Sequence, residues 1–507
     1  MDITVLDWLD RAAETAGGKT AYASPARSLT FAQVRDLARR TGSALLRRAE
    51  GRNPAAVLSE REVTMIPACL GAVCGGRAYA PVDPGYPEAR IAAILRTLKP
   101  SAVLTDRKQQ DKVSRCLEAA GWTAPVLLLD EAAAEAEDPD GLARARRSLV
   151  ATDPLYIIFT SGSTGTPKGV VTSHLSLMSY IQAYAEMMDI SAEDRLGCQA
   201  PLDYIAAIRD IYLPLLRQAD TFLIPHGLFL QADRLAETLR EREITALGWS
   251  ASALTLLASM GFLDQRMPDS LRKICFSGSV LPAAVLRKWQ DRLPGVRFVN
   301  QYGPTEATAS CTWYAVDHPA EPGEEIPIGV PYANYRILLL REDGTEAPPG
   351  EQGGICVAGP CLALGYYGDP ERTGRDFVVN PLQGAYAERI YRTGDLGSLR
   401  ADGNLMFHGR KDRMIKHMGH RIELDEVESA AAALDGVEEC AAVYQAERET
   451  LHLFYAGGAE KREIAVGLRK VLPGFMIPRA MTRLEKLPRL PNGKTDLVAL
   501  KALAENR

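Results

Sequence analysis

Thr160-Ser161-Gly162-Ser163-Thr164-Gly165-Thr166-Pro167-Lys168-Gly169 follows the apolar run Leu155-Tyr156-Ile157-Ile158-Phe159, which reads as a buried strand. Ten residues supply five hydroxyls, three glycines and a lysine. Glycine lets backbone N–H groups turn toward a ligand with no side chain in the way, the hydroxyls add donors, and Lys168 adds charge at phosphate-binding height. A polar strand-to-helix turn is the plain alternative. A Walker loop is excluded: counted from Gly162, Pro167 stands where the second glycine belongs and Gly169 where a magnesium-binding hydroxyl belongs.

Outward from this stretch, 507 residues are too many for one ordinary core, so at least two domains are expected. A composition of 46% hydrophobic and 24% charged residues is that of a soluble globular protein. A net charge of −5 without a long basic run argues against a nucleic-acid partner. No uninterrupted apolar window is long enough to span a membrane, and Met1-Asp2-Ile3-Thr4 lacks a signal-peptide pattern, so a cytoplasmic protein is expected. The nine cysteines form no CxxC pair and no zinc spacing with histidine, and read as reduced, small buried hydrophobes.

Residues 1–150 alternate helical and strand-like runs. Phe31–Leu46 is apolar at helical spacing, and Ala55–Leu58, Ala102–Leu104 and Val126–Leu129 read as short buried strands, a pattern of parallel sheets flanked by helices. Ala132–Arg147 reads as a surface helix or loop. Ile244–Leu247 and Lys273–Phe276 read as strands ending in small polar residues, where an open α/β sheet places ligands. Asn300-Gln301-Tyr302-Gly303-Pro304-Thr305-Glu306 marks a turn with an acid beyond it, able to hold a cation or simply to sit on a surface loop. Many short β-like runs over 327–397 suggest a small barrel or distorted sheet. There, Asp395 after Thr393-Gly394 could accept two hydrogen bonds from a sugar, or close an Asx turn.

The loop closely resembles the phosphate loop of the adenylate-forming enzymes: acyl-CoA synthetases, luciferases and nonribosomal peptide adenylation domains. Leu70–Asp83, Asn300–Glu306, Tyr391–Gly397, Gly409–Glu428 and Leu490–Asp496 resemble further signatures of that family, in its order and over nearly the whole chain. The resemblance implies an α/β fold: a large N-terminal domain (1–411) of two helix-flanked sheets plus a small distorted β-barrel, and a small mobile α+β C-terminal domain (412–507).

The resemblance also implies roles. Thr160, Ser161, Gly162, Ser163, Thr164, Gly165 and Lys168 would cradle the phosphates of ATP, and Asn300, Gln301, Tyr302, Thr305 and Phe407 would surround adenine and ribose. Asp395 and Arg410 would hold the sugar, Glu306 the Mg2+, and Asp412 would be the hinge. Lys494 would bridge the acyl carboxylate and α-phosphate. Lys494, Glu306 and Lys168 are therefore the expected catalytic set, serving a transition state that accumulates negative charge and needs cations and N–H donors. Met414, Met418 and Asp425 stand where Gln, Arg and Gly are common in the family.

Carried over position by position, the acid pocket comprises Asp203, Ile205, Arg209, Ser252, Cys275, Ser277, Ala309 and Ser310, with Gln301 beside them. Ile205 stands where amino-acid-activating relatives hold the α-ammonium with aspartate. Asp203, two residues earlier, shares its face if the segment is extended. A displaced carboxylate suits a displaced amino group, and resembles enzymes that activate β-amino acids for macrolactam biosynthesis. The expected activity is amino-acid adenylation, of a β-amino acid, then transfer to the phosphopantetheine thiol of a separate carrier protein. An aryl-acid adenylating enzyme or acyl-CoA ligase is the alternative. Only 13 residues follow Lys494, so a stand-alone enzyme is expected.

Overall fold

A computed structural model describes residues 2–162, 167–411, 413–446, 448–489 and 495–505. Of the expected site, Ser163, Thr164, Gly165, Asp412 and Lys494 lie outside the described residues.

Among the described residues, one sheet has seven strands in the spatial order Gly365–Tyr366, Lys168–Ser173, Pro154–Thr160, Tyr79–Val82, Ala55–Leu58, Ala102–Thr105 and Val126–Leu128. The run from Tyr79–Val82 to Val126–Leu128 is parallel, and helices Met65–Cys74, Glu88–Leu98 and Gln110–Ala120 make the crossovers that parallel pairing requires. Every residue of Ala55–Leu58, Tyr79–Val82 and Ala102–Thr105 is buried, as expected of strands covered on both faces. Pro154–Thr160 then folds back antiparallel on Lys168–Ser173, with Thr160 opposite Lys168. The glycine- and hydroxyl-rich stretch therefore links two strands of a hairpin rather than a strand and a helix; the helix, His174–Met187, comes only after the second strand.

The second sheet has nine strands, and six are parallel: Arg297–Tyr302, Lys273–Ser277, Ala246–Ser250, Arg195–Cys198, Asp220–Leu223 and Thr20–Ala23. Ser250, Ser277 and Tyr302 thus end side by side, at the carboxyl edge where such sheets bind ligands. Trp249, Phe262 and Trp289 fill the core behind them. Over 327–410 the distorted unit is a five-stranded antiparallel sheet, irregular between Gly354 and Cys356 and between Asp395 and Gly397. The C-terminal part pairs Met414–His417 with His420–Glu423, then sets helices on a three-stranded sheet around Ile422, Val427, Leu453, Ile464 and Met476.

Local expectations meet the fold unevenly. The helix at Phe31 runs to Arg48 and is capped reciprocally by Thr30 and Gln33. The 132–147 stretch belongs to two short helices, Leu129–Ala134 and Pro139–Arg147. Residues 202–206 are not extended: the amides of Tyr204 and Ala207 close successive turns onto Pro201 and Tyr204 before helix Ala207–Arg217 begins. The two-residue spacing of Asp203 and Ile205 therefore does not put them on one face. Eight of the nine cysteines are buried, Cys440 is half-buried, and all are free thiols. Among the described residues no helix is long and apolar enough to cross a membrane.

Candidate functional site

The site forms where the carboxyl ends of the nine-stranded sheet meet the phosphate-loop hairpin. Glu306 lies in a single 3-10 turn, Thr305–Ala307, just past strand Arg297–Tyr302. Gly303 permits this turn: a Cβ there would lie 2.5 Å from the Cα of Ser310, a backbone atom that cannot swing aside. Thr308 and Ala309 continue in left-handed backbone, at φ 52° and 73°.

Glu306 is fully buried and surrounded by cations. Lys168 Nζ donates to its Oε1 at 2.9 Å, Arg421 Nη1 reaches both carboxylate oxygens at 3.1 Å, and the Tyr366 hydroxyl donates at 2.9 Å. Burial alone would raise this carboxyl, but Arg421 and Lys168 outweigh it and hold it far below the ordinary glutamate range. Burial and the neighbouring Arg421 charge lower Lys168, against the pull of Glu306. Tyr366 and Arg421 carry no role in the sequence reading. Arg421 stands inside the Gly409–Glu428 signature, so its position was visible, but its partner, 115 residues away, was not. The same segment touches the start of the phosphate loop: Ser161 Oγ donates to the Arg421 carbonyl at 2.8 Å, and the Gly162 amide to Glu426 at 3.2 Å. Glu426 is itself held by buried Arg90 at 2.9 Å. Thr160 is buried with a hydroxyl that has no hydrogen-bond partner among the described residues.

Two cavities lie along the carboxyl edge of the nine-stranded sheet. The first, about 380 Å3, is walled by Ile326, Ile328, Met406 and the rings of Tyr302 and Phe407, whose centroids lie 6.1 Å apart. Asp395 and Arg410, ion-paired and joined by the Tyr302 hydroxyl, are its polar end, with Asn300 and Gln301 alongside. An apolar slot ending in a carboxylate and a guanidinium suits a purine nucleoside, whose base is flat and whose sugar offers two hydroxyls. The second, about 330 Å3, is lined by Ile205, Arg209, Ser277, Ala309 and Ser310 on one side and by Met418, Gly419 and His420 on the other. Gly278 and Lys416 border both cavities.

Met418 and Gly419 are the two-residue turn of the C-terminal hairpin, both left-handed (φ 51° and 81°), as the twist of a tight hairpin demands. His420, next in line, stacks on Phe475 at 3.8 Å, and burial drives its imidazole down to about 4.

Three expected acid-pocket residues do not line the second cavity. Ser252 is buried at the start of helix Ala251–Ser259, its hydroxyl 3.4 Å from that of Ser279. Cys275 lies behind the wall, 3.5 Å from Arg209 Nη1 and 2.9 Å from the Tyr184 hydroxyl. Asp203 faces Tyr86 and Asp83, so the turn at 202–206 directs its carboxyl away from the cavity. Burial and the Asp83 charge push that carboxyl up to about 6. A carboxyl raised on folding favours the native state below its unfolded value, and that contribution is lost as pH rises through about 6. Asp203→Asn is thus expected to raise stability at pH 7.5, by up to ~2–3 kcal/mol, and to leave it unchanged near pH 3. Urea unfolding at the two pH values checks this, and equal midpoints at pH 7.5 would refute it.

The comparisons with known proteins agree with this layout. The model of the family described as AMP-binding enzyme matches residues 9–367. Tyrocidine synthase 2 of Brevibacillus parabrevis is 33% identical over 509 residues, a match covering 98% of this chain and 14% of that protein. The chain therefore spans a small part of that relative's length. Among solved structures, holo-PA1221, described as an NRPS protein containing adenylation and PCP domains, superposes with a TM-score of 0.81 at 27% identity, covering 99% of this chain and 84% of the other. Vibrio cholerae AlmE, an adenylation domain in complex with glycyl-adenosine-5'-phosphate, shares the fold with a TM-score of 0.84 at 22% identity, covering 100% and 98%. The chain belongs to the AMP-binding enzyme family, the adenylate-forming ligases.

Proposed function

We propose that the protein activates a small amino acid as its acyl-adenylate, releasing pyrophosphate, and then passes the acyl group to a phosphopantetheine thiol on a carrier protein. The observation that carries this reading is the pair of adjoining cavities, one suited to a nucleoside and one to a small acid, meeting at Gly278 and Lys416 beside the Lys168–Glu306 cluster. In the first step the acid's carboxylate oxygen attacks the α-phosphorus of ATP and the bond to the β-phosphate oxygen breaks. Asp395 and Arg410 position the sugar, Tyr302 and Phe407 flank the base, and Lys168 with the loop amides steadies the phosphates. Glu306 would hold Mg2+, which supplies charge neutralisation at the phosphates. Lys494, at the motif position that the family resemblance sets against the reacting carboxylate, would complete the set. In the second step the thiol sulfur attacks the acyl carbon and AMP leaves. We assign the segment from Asp412 onward to a moving unit that presents Lys494 for the first step and the Gly419–His420 turn for the second.

The β-amino acid reading rests on Asp203 as ammonium anchor, and requires its carboxyl to turn from Tyr86 into the cavity. A second reading, an acid without an ammonium group, is favoured by the cavity walls: among the described residues they contain Arg209 and Lys416 and no carboxylate. ATP–pyrophosphate exchange over α-amino, β-amino, aryl and plain aliphatic acids separates the readings. Exchange with β-amino acids alone, lost in Asp203→Ala while ATP binding persists, supports the first; exchange unchanged in Asp203→Ala removes Asp203 from it. Comparing coenzyme A with a loaded carrier protein as acceptor identifies the thiol.

A further inference from the structure

Arg209 lies in the first turn of helix Ala207–Arg217, only 2% exposed, at the wall of the second cavity. Its partners are all uncharged. Nη2 donates to the Gly248 carbonyl at 3.0 Å, and Nη1 to Gln301 Oε1 at 3.1 Å and to Cys275 Sγ at 3.5 Å. The guanidinium carbon stands 5.6 Å from the centre of the Tyr184 ring. These contacts use three of the five N–H bonds that a guanidinium carries. Nε–H, buried, has no hydrogen-bond partner among the described residues, and neither does the buried Nε2 amide of Gln301 beside it.

A guanidinium does not shed its proton, so a buried one needs a counter-charge. Asp210, next in sequence, is close enough for the two charges to stabilise each other through space, but it makes no ion pair with Arg209, and its carboxyl is hydrogen-bonded to Cys198. Nothing carboxylic lines the cavity among the described residues. The wall beneath Ser277, Ala309 and Ser310 therefore offers donors and positive charge to whatever enters, in space that small side chains leave open.

We propose that Arg209 receives a second anionic group, a carboxylate, at the far end of the acid, so that the substrates are dicarboxylic acids, amino dicarboxylic acids included. This inference rests on the reading that the second cavity takes the acid. The reacting carboxylate lies toward Gly278 and Lys416, where the cavities meet, and the distal one completes the donor set of Arg209. Bidentate pairing of a planar carboxylate with a guanidinium edge gives both charge and direction.

The experiment is ATP–pyrophosphate exchange by the full chain with length-matched pairs: succinate against butyrate, glutarate against pentanoate, aspartate against 2-aminobutyrate, glutamate against norvaline. The expected result is a kcat/KM at least ~10²-fold higher for the dicarboxylic member of one pair, because a buried donor left unpaired rejects the methyl analogue strongly. In Arg209→Met that preference disappears, chiefly through KM, with ATP binding retained; Arg209→Lys keeps part of it. Exchange with the monocarboxylic members only, or an unchanged ratio in Arg209→Met, overturns the inference and leaves adenylation standing. The wild-type ratio decides alone if Arg209→Met does not fold. Absence of exchange with every acid tried, here and in the broader panel, overturns the adenylation reading and the inference with it.

Discussion

Glu306→Gln is expected to lower adenylate formation by about three orders of magnitude, the scale set by losing a preorganised electrostatic group at a buried reaction centre. The amide keeps the shape and can still accept from Tyr366, so what disappears is the negative charge. Lys168 and Arg421 then face each other across a neutral group, both nearly excluded from water. Stripping one partner from a buried ion cluster costs roughly 3–5 kcal/mol, so stability falls too. The two effects separate by measurement. Pyrophosphate exchange reports the chemistry, while nucleotide binding and urea unfolding report whether the protein is intact. Exchange near the wild-type rate, in a variant that still binds ATP, would show that Glu306 serves only to neutralise its two cations.

Arg421→Met is expected to divide the two half-reactions. In the arrangement described, Lys168 and Arg421 both engage Glu306, with Arg421 reaching both of its oxygens and Glu423 at 3.3 Å as well. A divalent ion brought to the same oxygens would have two cations as close neighbours, and at about 3–4 Å in a buried site that repulsion is large. Mg2+ held by Glu306 would thus compete with Arg421. The contacts of Ser161 with the Arg421 carbonyl and of Gly162 with Glu426 likewise occupy the start of the phosphate loop. On the proposed function, ATP with its metal would displace this segment, which would regain its seat once pyrophosphate has gone. Removing the guanidinium should tighten Mg2+-ATP binding about tenfold and leave exchange intact, since a competitor has been deleted. Transfer to the thiol should slow by about 10- to 100-fold, because the docked arrangement that presents Gly419 and His420 to the acid cavity loses its anchor. Single-turnover assays of each step check this. Equal slowing of both steps would place Arg421 in the chemistry rather than in the exchange of positions.

Much of this molecule is written in short stretches of chain. The hydroxyl- and glycine-rich loop and the Gly303-Pro304 turn depend on backbone preferences of neighbouring residues, so they can be read wherever they occur; Thr393-Gly394-Asp395, expected as a turn, instead lies within strand Arg389–Leu399, with Gly394 at φ 78°. The parallel strands at Ala55–Leu58 and Ala102–Thr105 are legible for the same reason, being uninterrupted apolar runs. Asp395 and Arg410, read separately from two motifs, do form one ion pair, because adjacent antiparallel strands put them in register.

Asp203 shows where local reading stops. Its spacing from Ile205 suggested a shared face, yet two consecutive turns rotate it toward Tyr86, and only the packing of residues 83–86 against that turn decides its direction. Arg209 was legible as a pocket residue. That its partners are Gly248, Cys275, Gln301 and Tyr184, none of them anionic, is set by three neighbouring strands and a helix brought together from separate parts of the chain. The sequence by itself carried the motifs whose resemblance names the family, and its local periodicity marked the helix-flanked parallel strands. The tertiary structure alone decided which charges meet: Arg421 with Glu306, Arg90 with Glu426, and Arg209 in no ion pair among the described residues. Charge pairing in a folded chain is a matter of distance through space, and separation along the sequence carries no record of it.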